Sequence, residues 1–307
     1  PMTSPRRRGL DRKCMLVRAD LIDEQLGSLA QLPVLPRELF LDTAKQADSV
    51  SLLRRVWGMA LAQLDPAAWD VVSEGRGGGT RFFVLADAFA ETATGPLRLR
   101  WTVIGEGIQY DVALLKAWDE AAASGLGASR VRFHIVRTVN LGPDGTPRAR
   151  HDNAPWTLAQ ARWPLGNSPE NTPCRLCFFT PVYLERQNVP ISTPTLTNIV
   201  AFARHRVSSY LPEEARAVFA WDGLGQTLEQ IAASTPAVQA SSWVTPEVVK
   251  RNSARQGREV WLKGVCGAID LPKGPGPIWP LLLAASWLHL GKHTTEGLGR
   301  ITIEAVR

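Results

Sequence analysis

Apolar residues in SVSLLRRVWGMALAQL recur at Leu53, Val56, Trp57, Ala60, Leu61 and Leu64, the three-and-four spacing of an amphipathic helix. Ser49 or Ser51 can cap its start, and Arg54 and Arg55 lie off the apolar stripe. Ahead of it, Cys14 to Leu21 (CMLVRADL) reads as a first strand, followed by loop-like sequence containing Pro33 and Pro36. After the flexible run EGRGGGT come two strand-like segments, Arg81 to Ala86 and Leu97 to Ile104. The second alternates strictly, with Leu97, Leu99, Trp101 and Val103 on one face. A helix is predicted over DVALLKAWDEAAA, with Val112, Leu115, Trp118 and Ala122 aligned, and Arg130 to Val139 alternates as a strand. The first half therefore reads β, α, β, β, α, β.

Residues 141–173 are rich in Gly, Pro, Asn and Asp and carry little periodicity, which marks a linker or an excursion. Arg148, Arg150, His151 and Arg162 leave that stretch basic and Trp156 and Trp163 give it apolar anchors, so it is expected to pack along an interdomain seam or to order on a partner. Beyond it, CRLCFFTPVYL reads as a strand in which Pro181 signals an edge or a bulge. TLTNIVAFARHRVSSYL reads as a helix with the stripe Leu196, Ile199 or Val200, Ala203, Val207 and Tyr210. A less regular piece holding Trp221 and Gly223 precedes candidate strands at Ala237 to Val249 and Glu259 to Ile269. A helix over Pro277 to Leu290 and a strand over Ile301 to Val306 complete a second β, α, β, β, α, β series. The halves also share a local pattern, because AWDEAAASGLGASRVRFHI and SWLHLGKHTTEGLGRITIE are each a helix with a Trp, then Gly-Leu-Gly, then an alternating strand. The expected class is α+β, with two tandem ferredoxin-like (RRM-like, βαββαβ) domains at 1–140 and 174–307.

Composition narrows the function. No apolar run reaches the roughly 20 residues of a spanning helix, and no apolar segment follows the basic N-terminal stretch, so a cytoplasmic protein with no membrane contact is expected. Four cysteines in 307 residues are too few for a disulfide framework. A net charge of +6 favours polyanionic partners. Of the 35 basic residues 7 are Lys and 28 Arg, a bias that suits bidentate phosphate contact but that a GC-rich genome would also produce.

The sharpest candidate site is the loop Gly291 to Arg300 (GKHTTEGLGR). Its glycines allow close backbone approach and an anion-binding concavity, and Lys292, His293, Thr294, Thr295 and Arg300 can reach phosphate around Gly297 and Gly299. It lacks the order of a nucleotide P-loop and precedes a strand where a dinucleotide fingerprint follows one. A second basic group, Lys250, Arg251, Arg255 and Arg258, lies at the turn between the late strands and fits either a solvated tip or a grip on phosphates. The pair Cys174 and Cys177 points to opposite faces of a strand, which disfavours a shared metal, so no metal and no cofactor are expected.

GKHTTEGLGRITIE after an apolar helix, FFTPVYL opening the second half, and RLRWTVIGEGIQYDVALLKAWDEAAASGLGASRVRFHIVRTVNL closing the first resemble the RAMP-type endoribonucleases that process CRISPR repeat RNA, the Cas-six family. The resemblance implies a protein that binds a repeat hairpin in precursor crRNA and cuts it without metal. In that reaction the ribose 2′-OH attacks the adjacent phosphate, leaving a 2′,3′-cyclic phosphate and a 5′-OH. It also implies other Cas subunits as partners in an effector complex. Relatives often place a base histidine between the first strand and first helix. Here the histidines are His134, His151, His205, His289 and His293, so residues 1–133 contain none. Two readings stay open: Arg37, Arg54 and Arg55 stabilise the pentacoordinate phosphorane, or the chain is a non-catalytic RNA-binding RAMP subunit. LLRRVWGMALAQLDPAAWDVV together with the missing histidine looks like the divergent processing subunits of type IV systems. A scaffold for protein assembly is the rival from another class.

Overall fold

The computed structural model describes residues 19–43, 50–74, 82–85, 89–90, 96–127, 130–149, 152–219, 222–246, 250–253, 258–261 and 264–306. Residues 19–29 are helical (α1). The first domain continues with β1 (Pro33–Thr43), α2 (Val50–Leu64), the short α3 (Pro66–Trp69), β2 (Phe83–Leu85), β3 (Phe89–Ala90), β4 (Leu97–Ile104), α4 (Asp111–Ser124) and β5 (Phe133–Asn140). Its antiparallel sheet runs β2-β4-β1-β5, the order of a ferredoxin-like fold with the first strand in the middle.

The first strand is a correction. Of the segment read as a strand, residues 14–18 lie outside the described residues and the rest enters α1, while the stretch read as loop is the eleven-residue β1. PVLPRELFLDT hides its character because it is buried on both faces, so it does not alternate. Pro33 opens the strand, and Pro36, which has no N–H to give, still joins the sheet through its carbonyl, which accepts from Leu141 N at 2.9 Å.

The expected faces of α2 and β4 pack as one core. Trp57, Trp101 and Trp118 meet there with ring centroids 5.7 to 6.1 Å apart, and Trp57 Nε1 donates to Leu114 O at 3.1 Å. Leu64 is the exception on α2 and is exposed. The buried face of α4 is Leu114, Ala117, Trp118 and Ala121, so the expected stripe was rotated, and Val112 faces solvent.

After β6 (Trp156–Thr157), which pairs with the start of β1, the second domain comprises β7 (Cys174–Val182), a small β8 (Glu185–Arg186) and β9 (Val189–Pro190) hairpin, α5 (Leu196–Tyr210), α6 (Glu213–Phe219), α7 (Asp222–Ser234), β10 (Val238–Val244), the β11 (Lys250–Ser253) and β12 (Arg258–Trp261) hairpin, β13 (Val265–Leu271), α8 (Trp279–Leu288) and β14 (Ile301–Ala305). Its main sheet runs β10-β13-β7-β14, the same order again, so the protein is a tandem of ferredoxin-like folds. Near Pro181 the β7 pairing with β13 slips register, which is the bulge the proline signals, although β7 is a central strand. α6 and α7 fill the piece that sequence reading left irregular, and the segment read as one strand from Glu259 is split between β12 and β13.

The two domains share apolar material. Val34, Val84 and Ile104, on the first sheet's face away from α2 and α4, belong to the same buried cluster as Leu176, Val207, Leu282 and Ile301 of the second domain. Trp156 packs edge-on against Trp287 at 5.1 Å, and Trp163 against Trp279 at 6.2 Å. No helix among the described residues is long and apolar enough to cross a membrane.

Candidate nucleic-acid interface at the domain seam

The loop between α8 and β14 is built onto the end of β7. Lys292 N donates to Tyr183 O at 3.0 Å, Gly299 N to Pro181 O at 3.0 Å, and Leu290 N to Gly299 O at 2.7 Å. Arg300 N donates to Thr180 Oγ1 at 2.9 Å. This path requires glycine twice: at Gly291 (φ +76°) a Cβ would fall 2.2 Å from Tyr183 O, and at Gly299 (φ +82°) 2.1 Å from Leu290 O.

These bonds correct one expectation. The amides of Lys292, Glu296, Leu298, Gly299 and Arg300 all donate within the protein, so they are not free to cradle an anion. Thr294, Thr295, Gly297 and Gly299, expected to meet RNA, are buried and hold the loop's shape. Arg206 of α5 donates to Leu288 O at 3.2 Å and to Thr294 Oγ1. Lys292, His293 and Arg300 remain at least partly open to solvent. Lys292 Nζ donates to Glu185 Oε1 at 2.6 Å, and Tyr183 Oη donates to Glu185 Oε2 at 2.6 Å. Those two donors hold the Glu185 carboxyl below its ordinary range. The Arg300 guanidinium lies 4.9 Å from the ring of Phe179, an exposed aromatic on the TP strand.

The loop also packs against α2 and β2 of the first domain. There Arg54 Nη1 lies 3.8 Å from Glu296 Oε1, whose carboxylate is buried, and Arg55 on the next position is exposed. The structure thus brings Arg54 to the Gly-rich loop. Arg37, grouped with it by sequence, is separated from that task. Its side chain is 2% exposed, its guanidinium forks onto the Asp111 carboxylate, and its Nε donates to Asn140 Oδ1 at 2.8 Å. With those donors directed inward, Arg37 ties β1 to α4 and β5, which is a structural task.

Sequence reading missed a second group of cations. On the far face of the first sheet Arg98 and Arg100 donate to the two oxygens of Glu38 at 2.7 and 3.0 Å. Burial pushes the Glu38 carboxyl up, but the two arginines outweigh it and hold the group below its usual range. Arg98 and Arg137 flank the Phe40 ring at 5.5 and 3.9 Å, and Arg100 approaches Trp287 of α8 at 6.0 Å. The signal was present in LRLRW, whose alternation puts Arg98 and Arg100 together on the face opposite Leu97 and Leu99.

His289 marks where the two sets of cations meet. It is wholly buried, its Nδ1 faces Leu298 O at 3.2 Å, and its pKa is lowered to about 3, first by burial and then by the charges of Arg300, Arg206 and Arg100. One neutral imidazole therefore lies within the field of arginines from both domains.

The β11–β12 hairpin carries Lys250, Arg251 and Arg258 in a two-stranded sheet separate from the main one, and Arg255 lies outside the described residues. The two cysteines at the start of β7 alternate, Cys174 into the core and Cys177 to the other face. Burial pushes their thiols up to about 12 and about 11, which opposes thiolate ligation or redox exchange.

Residues 176–301 match the family model of the CRISPR-associated endoribonuclease Cas6. The second half carries a Cas6 domain. The stretch that matches begins in β7, spans the Gly-rich loop and ends at the first residue of β14. Among solved structures the chain is similar to a product complex of Cas6 from Thermus thermophilus, with a TM-score of 0.56 and 14% identity over 89% of this chain and 99% of that one. It is similar to another Cas6 product complex with a TM-score of 0.53 and 17% identity, over 89% and 100% of the two chains. A partial complex titled Cas6-RT-Cas1–Cas2 aligns with a TM-score of 0.53 and 13% identity, over 90% of this chain and 47% of that one. At these identities the likeness establishes the tandem fold around the Cas6 domain. No curated protein sequence matches the chain.

Proposed function

We propose that this protein binds CRISPR repeat RNA along the domain seam and cleaves it by attack of the 2′-OH on the adjacent phosphate, without a metal ion. The observation that carries the reading is the convergence of arginines from both domains on the α8 to β14 segment: Arg206 donates to Leu288 O at 3.2 Å, Arg100 lies 6.0 Å from the Trp287 ring, and Arg300 ends the Gly-rich loop. A strand of phosphates laid there would meet charge from both sheets, and Phe179 offers a ring for a base to stack on. The solved relatives include complexes with a Cas6 product and with a substrate mimic, which supports an RNA ligand for this chain too. Arg54 and Arg55 then stand where charge develops on the scissile phosphate. After cutting, the hairpin product stays on the cationic seam, and the protein joins a larger Cas ribonucleoprotein.

The test is incubation with end-labelled repeat RNA in EDTA, beside RNA carrying a 2′-deoxy nucleotide at the cut site. Cleavage that survives the chelator and stops with the 2′-deoxy substitution is expected. Tight, salt-dependent binding with no cutting would instead assign the chain as the non-catalytic RNA-binding subunit, the reading favoured by the absence of histidine before His134.

A further inference from the structure

The transesterification needs a group to take the 2′-OH proton, and the arginines cannot supply one because they stay protonated. Of the described histidines, His289 is buried and neutral, while His134 and His205 face solvent on β5 and α5. His293 is placed differently. It lies on the Gly-rich loop at the seam, its side chain is 30% exposed, and its Nδ1 is 3.7 Å from Glu296 Oε2. The Glu296 side chain is 1% exposed and also has Arg54 Nη1 3.8 Å from its other oxygen. Carboxylate, imidazole and guanidinium are therefore held together where α2 meets the loop.

The backbone singles out the same residue. His293 has φ +64°, in the left-handed region that few residues with a side chain adopt, and no glycine takes its place in a loop that uses glycine at 291, 297 and 299. Its ring is tilted 6.2 Å from that of Tyr183, and the other charged groups nearby are Lys292 and Glu185 on the β7 side and Arg54 on α2.

We propose that His293 is the general base of the cleavage reaction, positioned by Glu296, an assignment that rests on the nuclease reading above. The buried carboxylate accepts from Nδ1–H and leaves the Nε2 lone pair facing outward. The 3.7 Å separation exceeds a hydrogen bond and closes when RNA is bound. Nε2 takes the 2′-OH proton, O2′ bonds to phosphorus, and the bond from phosphorus to O5′ breaks. O5′ takes a proton from water, and the imidazolium returns its own to solvent. Arg54 sits beside this base to offset charge on the phosphorane oxygens.

Because His293 is left-handed, His293→Gly and His293→Asn keep the loop path, and the glycine variant opens room for imidazole. Single-turnover cleavage of repeat RNA in EDTA is compared with affinity measured by anisotropy. Both variants should lose about 100-fold or more in rate at unchanged affinity. Added imidazole should recover part of the rate in His293→Gly, and the acid limb of the pH–rate profile should vanish in that variant. Wild-type cutting by either variant, or a rate loss that follows lost affinity and ignores imidazole, would overturn the assignment. A wild-type protein that binds but does not cut would overturn the nuclease reading itself, and this base with it.

Discussion

Replacing Arg37 separates a catalytic arginine from a structural one. Its guanidinium is buried, forked onto Asp111 and bonded to Asn140, so Arg37→Ala removes three charge-assisted bonds, two to a carboxylate and one to an amide oxygen, and leaves a cavity between β1 and α4. Breaking a fully buried pair costs about 3 to 5 kcal/mol. Here the orphaned Asp111 side chain is 22% exposed and lies in the first turn of α4, where water and the helix dipole both favour a carboxylate, which lowers the expected cost to about 2 to 3 kcal/mol. Asp111→Ala should cost more, because it strands a guanidinium that is only 2% exposed. The pair Arg37→Met with Asp111→Leu should recover most of the loss, since neither charge then remains buried. Urea unfolding followed by tryptophan fluorescence measures all three, and at about 2 to 4 °C per kcal/mol the first variant should also melt several degrees lower. Cleavage of repeat RNA, assayed well below that melting point, should keep its wild-type rate. A variant as stable as the wild type that cuts tenfold more slowly would refute this reasoning and return Arg37 to the phosphate.

Gly299→Ala should lose roughly 2 kcal/mol or more, from left-handed strain and the displaced Leu290 and Pro181 bonds, and should lower RNA affinity with it; an unchanged urea midpoint would mean the loop relaxes freely. His289 titrates near 3 in the folded chain against about 6.5 unfolded, so the unfolded state binds the extra proton between those values and stability falls as pH drops, by up to about 1.4 kcal/mol per pH unit. His289→Asn should flatten that dependence between pH 6.5 and 4 in urea titrations, and an equal slope in both proteins would place the effect elsewhere. Arg100→Ala and Arg300→Ala should each reduce the slope of log K against log salt for repeat RNA by about 1, as loss of one phosphate contact requires. Equal slopes would remove the seam from the RNA path.

Where burial is one-sided, the chain announced its structure: the stripe of α2 and the alternation at the start of β4, Leu97, Leu99 and Trp101, are buried along the residues that predicted them, apart from Leu64. Where both faces are covered, as in β1, alternation vanishes, and two prolines steered the reading to a loop. In α4 the small Ala117 and Ala121 take the buried face under Trp118, while the larger Val112 is left to solvent, so residue size misdirected the stripe. The Gly-rich loop was legible as a special segment, but which of its residues point outward depends on bonds to Pro181 and Tyr183, more than a hundred residues away. Arg54 was singled out for its charge, whereas its approach to Glu296 exists only because two domains meet. Arg98 and Arg100 could have been found by asking what the second face of LRLRW presents.

Val34, Val84 and Ile104 share one apolar cluster with side chains of the second domain. A weld of this kind makes the protein a calliper with a locked joint, since opening the angle between the two sheets would expose that oily surface to water. The arginines on the two arms are then set at a fixed gauge before any nucleic acid arrives. A ligand of the right diameter seats without the entropy loss of closing a hinge, and one that is too wide gains no help from the protein in spreading to meet it.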